Sequence, residues 1–378
     1  MYDAIIVGAR CGGSATAMLL ARQGHSVLVV DRATFPSDTF STHFIHASGT
    51  ALLDRWGAVS LLEARGVPFF DSVELNVGGN RMETAGLFGP LRVCSPRRTD
   101  VDTVLRDMAA DAGAEVRMQT SVTEVVRDNS GRVTGVALRD ESGSTSQESA
   151  AVVIGADGRS SVVARAVEPA SRDQHKIVGN GFYAYFDDFE YSLPAVGFFD
   201  GAFTFAFPTG AKSACVGTEI ETIDDAVRAN PDAAFDQRLS VDDDLLQRVR
   251  AAKRDGRWHL GDLPEGWFRH AAGSGWALVG DAACTKDPLL GHGITDAFIG
   301  AELLSNAIHR GLGDGDVDAA LARYDEALWE TLGPIYEASR DAAADFSKTG
   351  DELFEGVAPA QMLIAGEAEM IHAGGPTL

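Results

Sequence analysis

The first thirty residues alternate short apolar runs with a helical stretch of small residues. Residues 3–7 and 26–30 are apolar runs of strand length, and between them a glycine-rich turn leads into a small-residue helix at 14–23. Strand, helix and strand in this order predict a βαβ unit at the start of the chain.

The next hundred residues change period several times. Helical periodicity at 50–62 is followed by strand-like alternation at 73–77. Apolar residues spaced i, i+3, i+4, i+7 across 101–108 predict a helix that stops at Gly113, and a strand is expected near 115–119.

A hairpin is expected across 122–138, with its turn at 128–131, and a buried strand at 151–155. The polar run SGSTSQES at 142–149 is of low complexity and is predicted to be a loop tip.

The pattern changes in the second half of the chain. From about 172 to 265, alternating aromatic stretches such as GFYAYF and FTFAF predict an antiparallel sheet. Residues 276–279 are again a short apolar run like those of the βαβ unit and predict a buried strand, and 294–336 are mainly helical. The domain that begins with the βαβ unit is therefore discontinuous along the chain.

Composition and charge exclude several function classes. Across 378 residues the formal net charge is -23, and no long basic stretch could neutralise phosphates, so nucleic acid and anionic membranes are disfavoured as partners. No run approaches the roughly 18 apolar residues of a membrane span, and the chain opens directly on a strand, so a cytoplasmic protein is expected. The four cysteines lie far apart, which predicts free thiols and no metal site.

The glycine-rich turn GARCGGS, residues 8–14, lies between a strand and a helix. There, backbone N–H groups and a helix N-terminus can meet a dinucleotide pyrophosphate. Asp31 ends the second strand 23 positions after Gly8, where a carboxylate accepts hydrogen bonds from ribose hydroxyls. A glycine-rich turn without a ligand is the alternative.

Two further motifs follow buried strands. VVIGADGRSSVVAR, residues 152–165, carries Asp157 and Gly158, and ALVGDAACTKDPLLGHGITDAF, residues 277–298, carries Gly280 and Asp281. Taken alone, IGADG could be an ordinary strand-to-turn connection.

The three motifs, in this order, resemble those of the class A flavin monooxygenases, the p-hydroxybenzoate-hydroxylase-like FAD oxidoreductases, with their geranylgeranyl-reductase and flavin-halogenase branches. The resemblance covers residues 1 to about 345. It implies an α/β fold, in which a Rossmann-like FAD-binding domain of the glutathione-reductase type is interleaved with an antiparallel β-sheet substrate domain, followed by a helical C-terminal region. It also implies non-covalent FAD, NAD(P)H as electron donor, O₂ as co-substrate and a small-molecule substrate; the oligomeric state is not predicted.

The resemblance implies a division of the chain into three parts. The FAD-binding domain is expected to comprise 1–72, 98–171 and 266–345, the substrate sheet 73–97 and 172–265, and the C-terminal helical tail 346–378.

The resemblance also assigns cofactor contacts. Asp281 would bind the ribityl hydroxyls, and a helix start after Pro288 would aim N–H groups at the flavin N1/C2=O edge. Arg10 replaces the second glycine of GxGxxG, so its charge is expected near the pyrophosphate or the flavin edge. The full expected set is Gly8, Arg10, Gly12, Gly13, Asp31, Arg32, His46, Arg98, Asp157, Gly158, Gly280, Asp281, Pro288, Gly291, Gly293 and Ile294. For His46, as for His43, the alternative is that it satisfies local backbone groups.

The branch is suggested by two comparisons of motifs. The WxWxIP motif and essential lysine of flavin halogenases are absent, and residues 73–86 contain no lysine, so a halogenase is not expected. FTFAFP at 203–208 echoes the Y-x-W-x-F-P stretch of geranylgeranyl reductases. Phe203, Phe205 and Phe207 are therefore candidate substrate-pocket residues, with ordinary core packing of a strand as the alternative.

A monooxygenase is the function expected from this resemblance: NAD(P)H reduces FAD, O₂ adds, and oxygen passes to a small, partly apolar or aromatic metabolite. His292 and Lys286 are the candidate catalytic residues, on the ground of proximity to the expected flavin. Two alternatives stay open: an FAD-dependent reductase or dehydrogenase of the geranylgeranyl-reductase type, and a flavin- or ligand-binding protein without turnover.

Overall fold

The computed structural model describes residues 1–84, 92–221, 223–261, 263–344 and 348–374. Its strands are β1 Tyr2–Val7, β2 Val27–Val30, β3 Phe69–Phe70, β4 Glu74–Val77, β5 Asn80–Glu83, β6 Val93–Cys94, β7 Glu115–Arg117, β8 Ser121–Arg127, β9 Val133–Arg139, β10 Thr145–Gly155, β11 Ser171–Lys176, β12 Asn180–Asp187, β13 Ala195–Phe199, β14 Ala202–Gly210, β15 Ser213–Ile220, β16 Lys253–Leu260, β17 Glu265–Arg269, β18 Ala272–Gly273, β19 Trp276–Leu278 and β20 Cys284–Thr285. Its α-helices are α1 Cys11–Arg22, α2 Ala47–Trp56, α3 Val59–Glu63, α4 Arg98–Asp111, α5 Val162–Val167, α6 Asp225–Ala229, α7 Pro231–Leu239, α8 Asp243–Ala251, α9 Gly293–Asp314, α10 Val317–Ala342 and α11 Gly350–His372.

The first layer is a sheet in the order β18-β19-β10-β1-β2-β7, in which every neighbouring pair except β18 and β19 is parallel. Its central strands β1 and β2 are short apolar runs, as expected where helices cover both faces of a parallel sheet. The antiparallel hairpin β8-β9 continues from β10. This arrangement confirms the predicted Rossmann-like layer.

The second layer is a seven-stranded sheet in the order β16-β12-β15-β14-β13-β4-β5. All of its pairs are antiparallel except β13 with β4. One face buries alternate residues such as Phe182 and Val216 against Phe235 of α7, and the other face turns toward α11. The strands from 74–83 join the same sheet as those from 180–260, and the domain boundaries themselves stay a prediction.

Two sequence expectations about local structure were wrong in detail. The helical segment at 50–62 forms two helices, because Gly57 adopts a left-handed conformation with φ of 85° and ends α2. The polar run at 142–149 is only partly a loop, since β10 begins at Thr145 and pairs with β9 in the register Thr145 to Arg139. Polar side chains suit this strand end because its residues are solvent-exposed.

The C-terminal segment forms α11, which begins with a capping box between Thr349 and Glu352. Its apolar side chains, including Leu353, Val357 and Ile364, pack against the inward face of the second sheet. Within the described residues, the structure has no helix long and apolar enough to cross a membrane.

Candidate functional site

Three neighbouring parallel strands bring the three sequence motifs to one edge of the first sheet. Val7 of β1 lies beside Gly155 of β10, which in turn lies beside Leu278 of β19. The motif residues follow directly after these strand ends. Because ligands of open α/β sheets bind beyond the carboxyl ends of the strands, this edge is the candidate site.

The first motif is closely packed against the second. A Cβ added to Gly8, whose φ is 106°, would lie 2.5 Å from the carbonyl oxygen of Ala156, and one added to Gly13 would lie 1.9 Å from the carbonyl oxygen of Gly8. Only glycine fits these approaches. They hold the start of α1 at the sheet edge. The N-cap side chain makes no capping hydrogen bond and the first turn contains no acidic residue, although the Cys11 N–H donates to Asp102. The N–H groups and positive dipole end of α1 suit a pyrophosphate, and Gly12 lies in that turn.

Asp31 is fixed beside this turn by the backbone. Its two carboxylate oxygens accept hydrogen bonds from the N–H groups of Ala9 and Ala33, each at 2.8 Å. The neighbouring Arg32 side chain is exposed. A rigid carboxylate at the end of β2 has the chemistry that adenosine ribose hydroxyls require.

Arg10 does not extend freely toward the sheet edge. Its guanidinium donates to Asp102 Oδ2 at 2.7 Å and to Ser37 Oγ at 3.0 Å. Asp102 is only 1% exposed and also accepts from Arg98 at 3.0 Å and from the Cys11 N–H at 3.1 Å. The charge of Arg10, expected at the pyrophosphate or flavin edge, is therefore paired with a buried carboxylate.

Arg98 stays cationic in this cluster. Burial lowers the pKa of Arg98, but the charge of Asp102, its hydrogen bond and the neighbouring Cys11 and Asp281 together outweigh burial, and the net pKa is raised. Two guanidiniums share one carboxylate, so the cluster carries a net positive charge beside the first turn of α1.

Asp157 and Arg159 each have one buried polar atom with no hydrogen-bond partner in the described protein. Asp157 Oδ2 accepts from the Val162 N–H at 2.7 Å, whereas Asp157 Oδ1 and Arg159 Nη1 are buried without a hydrogen-bond partner. Burial raises the pKa of the Asp157 carboxyl. Unsatisfied buried polar atoms are rare and cost about 1–3 kcal/mol each, so a polar ligand at this edge would stabilise the site.

Asp281 and the start of α9 face the same space. A Cβ added to Gly293 would lie 4.0 Å from Asp281 Oδ1, and Gly293 is exposed. Part of Asp281 is accessible to solvent, while its carboxyl group lies among protein atoms. This partial burial raises the pKa of the carboxyl, and the charges of Arg159 and Arg98 oppose the rise. No side chain caps α9, so its N–H groups and dipole can meet a negatively charged group.

The turn before α9 is held by a buried cluster of charges. His292 Nδ1 lies 2.7 Å from Asp296 Oδ1, and His292 Nε2 lies 3.1 Å from Glu367 Oε2 of α11. Lys286 Nζ lies 2.5 Å from Asp296 Oδ2, and Ser48 Oγ donates to Glu367 at 2.7 Å.

The carboxylates keep His292 protonated. Burial lowers the pKa of His292, but Glu367 and Asp296 outweigh it and raise the pKa to about 9. Burial likewise raises the pKa of Asp296, and Lys286 and His292 outweigh it to lower the pKa to about 2. The side chains of His292 and Lys286 are 0% and 5% exposed. These two candidate catalytic residues are therefore enclosed by protein in the turn before α9.

His46 also supports this turn. Its Nε2 lies 2.7 Å from the carbonyl oxygen of Leu290, and its ring lies 4.8 Å from that of His292. Burial first, and then the charge of His292, lower the pKa of His46 to about 3, so this imidazole is neutral and its Nε2 donates. The contact satisfies a backbone carbonyl, as the alternative interpretation of His46 stated. Pro288 opens this turn, Gly291 ends it, and Ile294 is buried at the start of α9.

The second sheet presents an aromatic face beside the turn. Three neighbouring strands place matched rows on it: Gly181, Glu219 and Phe203; Tyr183, Gly217 and Phe205; Tyr185, Cys215 and Phe207. Ring centroids of Phe205 and Phe207 are 5.0 Å apart, and Phe44 lies 4.8 Å from Phe207. Phe203, Phe205 and Phe207 are 5% exposed or less, because the face packs against α11 and the Pro288 turn.

A hydrogen-bonded pair of side chains, His43 and Tyr185, lies at the end of this face that carries Phe207. His43 Nε2 lies 2.6 Å from the hydroxyl oxygen of Tyr185, while His43 Nδ1 is buried without a partner in the described residues. Burial lowers the pKa of His43 to about 3, so the ring is neutral. His43 has φ of 68°, a conformation that few non-glycine residues adopt.

Sequence motifs did not identify Asp102, Asp296, Glu367 or Tyr185. Asp296 had a local signal, because it follows His292 by four positions at a helix start. Asp102 likewise follows Arg98 by four positions. Its contact with Arg10, and the contacts of Glu367 and Tyr185, span long separations in the chain, which no local pattern reports.

Comparison with known proteins agrees with this geometry. The FAD_binding_3 family model, described as FAD binding domain, matches residues 1–195. The chain belongs to this FAD-binding family. FAD is therefore its cofactor. The starts of α1 and α9, the fixed Asp31 carboxylate and the unsatisfied atoms of Asp157 and Arg159 fit such a group.

Relatives agree with an FAD-dependent oxidoreductase. Menaquinone reductase of Mycolicibacterium smegmatis is 31% identical over 308 residues, covering 77% of this chain and 72% of the relative. Digeranylgeranylglycerophospholipid reductase 2 of Methanopyrus kandleri is 26% identical over 378 aligned residues, covering 95% and 90%. A triple mutant of the flavin-dependent brominase Bmp2 has a TM-score of 0.83 at 19% identity, covering 99% of this chain and 96% of that one, and shares the fold. The predicted superfamily is confirmed, and the protein is an FAD-dependent oxidoreductase.

Proposed function

We propose that this protein is an FAD-dependent reductase that saturates a carbon–carbon double bond of a long apolar substrate. The observation that carries the proposal is the aromatic row formed by Phe203, Phe205 and Phe207. With Phe44 it forms a continuous set of rings that ends at the turn before α9. A row of this length suits an extended chain better than a compact ring.

The relatives support the same choice. The two relatives found by sequence, from Mycolicibacterium smegmatis and Methanopyrus kandleri, are reductases, and their names specify menaquinone and a digeranylgeranyl glycerophospholipid. Alignment over most of each chain makes a related two-electron reduction the most economical proposal for this protein.

Each part of the site has a defined task in this proposal. The cofactor, once reduced, supplies hydride. The start of α1 and Asp31 would hold its adenosine half, and Asp281 would bind the ribityl hydroxyls. The uncapped start of α9, with the His292 imidazolium behind it, would stabilise negative charge on the reduced cofactor. The aromatic face excludes water and aligns the substrate.

Hydroxylation is the competing function and uses the same cofactor site. The two functions differ in the electron acceptor. In hydroxylation, NAD(P)H would reduce the flavin, and the flavin would pass its electrons to O₂ rather than to an alkene. The two functions therefore separate when oxygen is removed.

The test uses FAD-reconstituted protein, reduced with dithionite without oxygen and mixed with geranylgeraniol, an alcohol that carries the geranylgeranyl group. We expect the absorbance of oxidised flavin to return and the product to gain two hydrogens. Reduced flavin that persists until O₂ is admitted, with oxygenated product, would favour the monooxygenase instead. Flavin that is bound but transfers electrons to neither acceptor would favour a binding protein.

A further inference from the structure

Glu219 is a buried carboxyl group on the aromatic face. It lies on β15, opposite Gly181 of β12 and Phe203 of β14, and directly opposed residues of a sheet project from the same face. Glu219 is 2% exposed, and its Oε2 is buried without a hydrogen-bond partner in the described part of the chain.

No structural role accounts for this residue. No cation pairs with Glu219 among the described ion pairs, and its unsatisfied Oε2 is costly in the interior. Leucine or methionine would fill the same space beside Phe203 without that cost. An unsatisfied polar atom on the face to which the substrate is assigned above is a candidate ligand contact.

Asp287 supplies the contrast that defines the state of Glu219. It immediately precedes Pro288, and its Oδ2 accepts from the N–H groups of Val178 and Gly179 at 3.1 and 3.0 Å. These hydrogen bonds favour its ionised form, although burial raises its pKa to about 6. Glu219 has no such donors; burial, and then the charge of Asp287, raise its pKa well above the ordinary value.

Two carboxyl groups with opposite environments often divide into an acid and a charged partner. The hydrogen-bonded Asp287 is the charged member, and Glu219 is the member that keeps its proton. Asp287 begins the turn that leads to α9 and its charge acts on Glu219, which lies opposite Phe203 in the aromatic row.

We propose that Glu219 is the proton donor of the active site, protonating the substrate that lies along the aromatic face. This inference rests on the proposed reductase function. The bound cofactor supplies the hydride for one alkene carbon. The O–H bond of Glu219 breaks, and the alkene π electrons form a C–H bond to that proton at the other carbon. Glu219 is left as a carboxylate and regains a proton from water before the next turnover.

The experiment compares wild type with Glu219→Gln, which keeps the shape but has no transferable acid proton. The matched control is Glu221→Gln, two residues further along and exposed. All three proteins are loaded with FAD, reduced with dithionite without oxygen and mixed with geranylgeraniol. We expect normal FAD content in each, and flavin reoxidation about 100-fold slower or more in Glu219→Gln only.

A second measurement does not depend on turnover. The infrared difference spectrum of wild type minus Glu219→Gln at neutral pH should contain the carbonyl band of a protonated carboxylic acid. The corresponding Glu221→Gln spectrum should contain carboxylate bands instead.

The outcomes separate the two proposals. Reoxidation of Glu219→Gln at the wild-type rate, or a carboxylate band for Glu219, would overturn the proton-donor role and leave the reductase function standing. If wild type itself does not reduce geranylgeraniol, the reductase function is contradicted, and the proton-donor role falls with it.

Discussion

His292 Nε2 lies 3.1 Å from Glu367 Oε2, so α11 contributes a buried charge directly to the turn that begins α9. Asp296 holds the opposite ring nitrogen at 2.7 Å. The imidazolium lies at the positive end of the α9 dipole, between two carboxylates that stabilise it there. The C-terminal helix is therefore part of the site's electrostatics.

Glu367→Gln should lower the pKa of His292. The charge of Glu367 is the largest of the attractions that raise this pKa against burial, so without it the buried imidazolium is less stable. The control is Glu369→Gln, on the exposed side of the same helix. The measurement is an NMR titration of the His292 ring in the three proteins, and an equal pKa in all three would contradict the pairing of His292 with Glu367.

His292→Ala should retain FAD and slow turnover. In the proposed arrangement the backbone N–H groups of α9, rather than the enclosed imidazole, would meet the cofactor, so occupancy should be preserved while the imidazolium charge is lost. A tenfold loss of rate corresponds to about 1.4 kcal/mol of transition-state stabilisation. Full FAD content with unchanged turnover would show that the histidine is needed for packing alone.

The stability of the protein should fall with rising pH because of His292. The folded-state pKa is raised to about 9, whereas the unfolded value is about 6.5. The contribution is therefore complete below about pH 6.5 and is lost as pH rises to about 9, because the folded state binds the extra proton. Urea midpoints across this range should decline in wild type and decline less in His292→Gln. Parallel slopes would contradict the assignment.

Asp281→Ala should weaken FAD binding more than Asp281→Asn. The alanine would remove the proposed acceptor for the ribityl hydroxyls, at a cost of about 1–3 kcal/mol. That corresponds to a Kd about 5- to 150-fold higher, measured by titrating the FAD-free protein. Unchanged Kd in both variants would exclude contact of this carboxylate with the cofactor.

Asp102→Ala should be much more damaging than Arg10→Ala. Removal of Asp102, which is 1% exposed, leaves two guanidiniums without their shared partner and should cost about 3–5 kcal/mol in unfolding free energy. Arg10→Ala leaves the Arg98 pair intact and should cost about 1 kcal/mol or less, with weaker FAD binding as the more visible effect. If Arg10→Gly tightens FAD binding without loss of turnover, Arg10 makes no useful contribution.

The sequence was sufficient for the cofactor-binding frame. Gly8, Asp157 and Asp281 each follow a buried strand, and local patterns report strand ends well. Parallel neighbours then bring these ends to one edge without further information. That is why the Rossmann-like layer was predictable.

The sequence was insufficient for the charges behind the cofactor edge. Glu367 meets His292 only after α11 has packed on the second sheet, and Asp102 meets Arg10 across 92 positions. Arg10 alone suggested a phosphate contact, because nothing local revealed its partner. Glu219 appeared in an ordinary strand pattern, and only the pairing of three strands placed it on the aromatic face.

The reductase function is tested most directly by the fate of oxygen. FAD-loaded protein is supplied with NADH or NADPH and geranylgeraniol under O₂ enriched in a heavy oxygen isotope, and the product mass is measured. A reductase gives a product that is heavier by two hydrogens for each double bond reduced and carries no label. A product that has gained one labelled oxygen atom would contradict the reductase function and establish a monooxygenase.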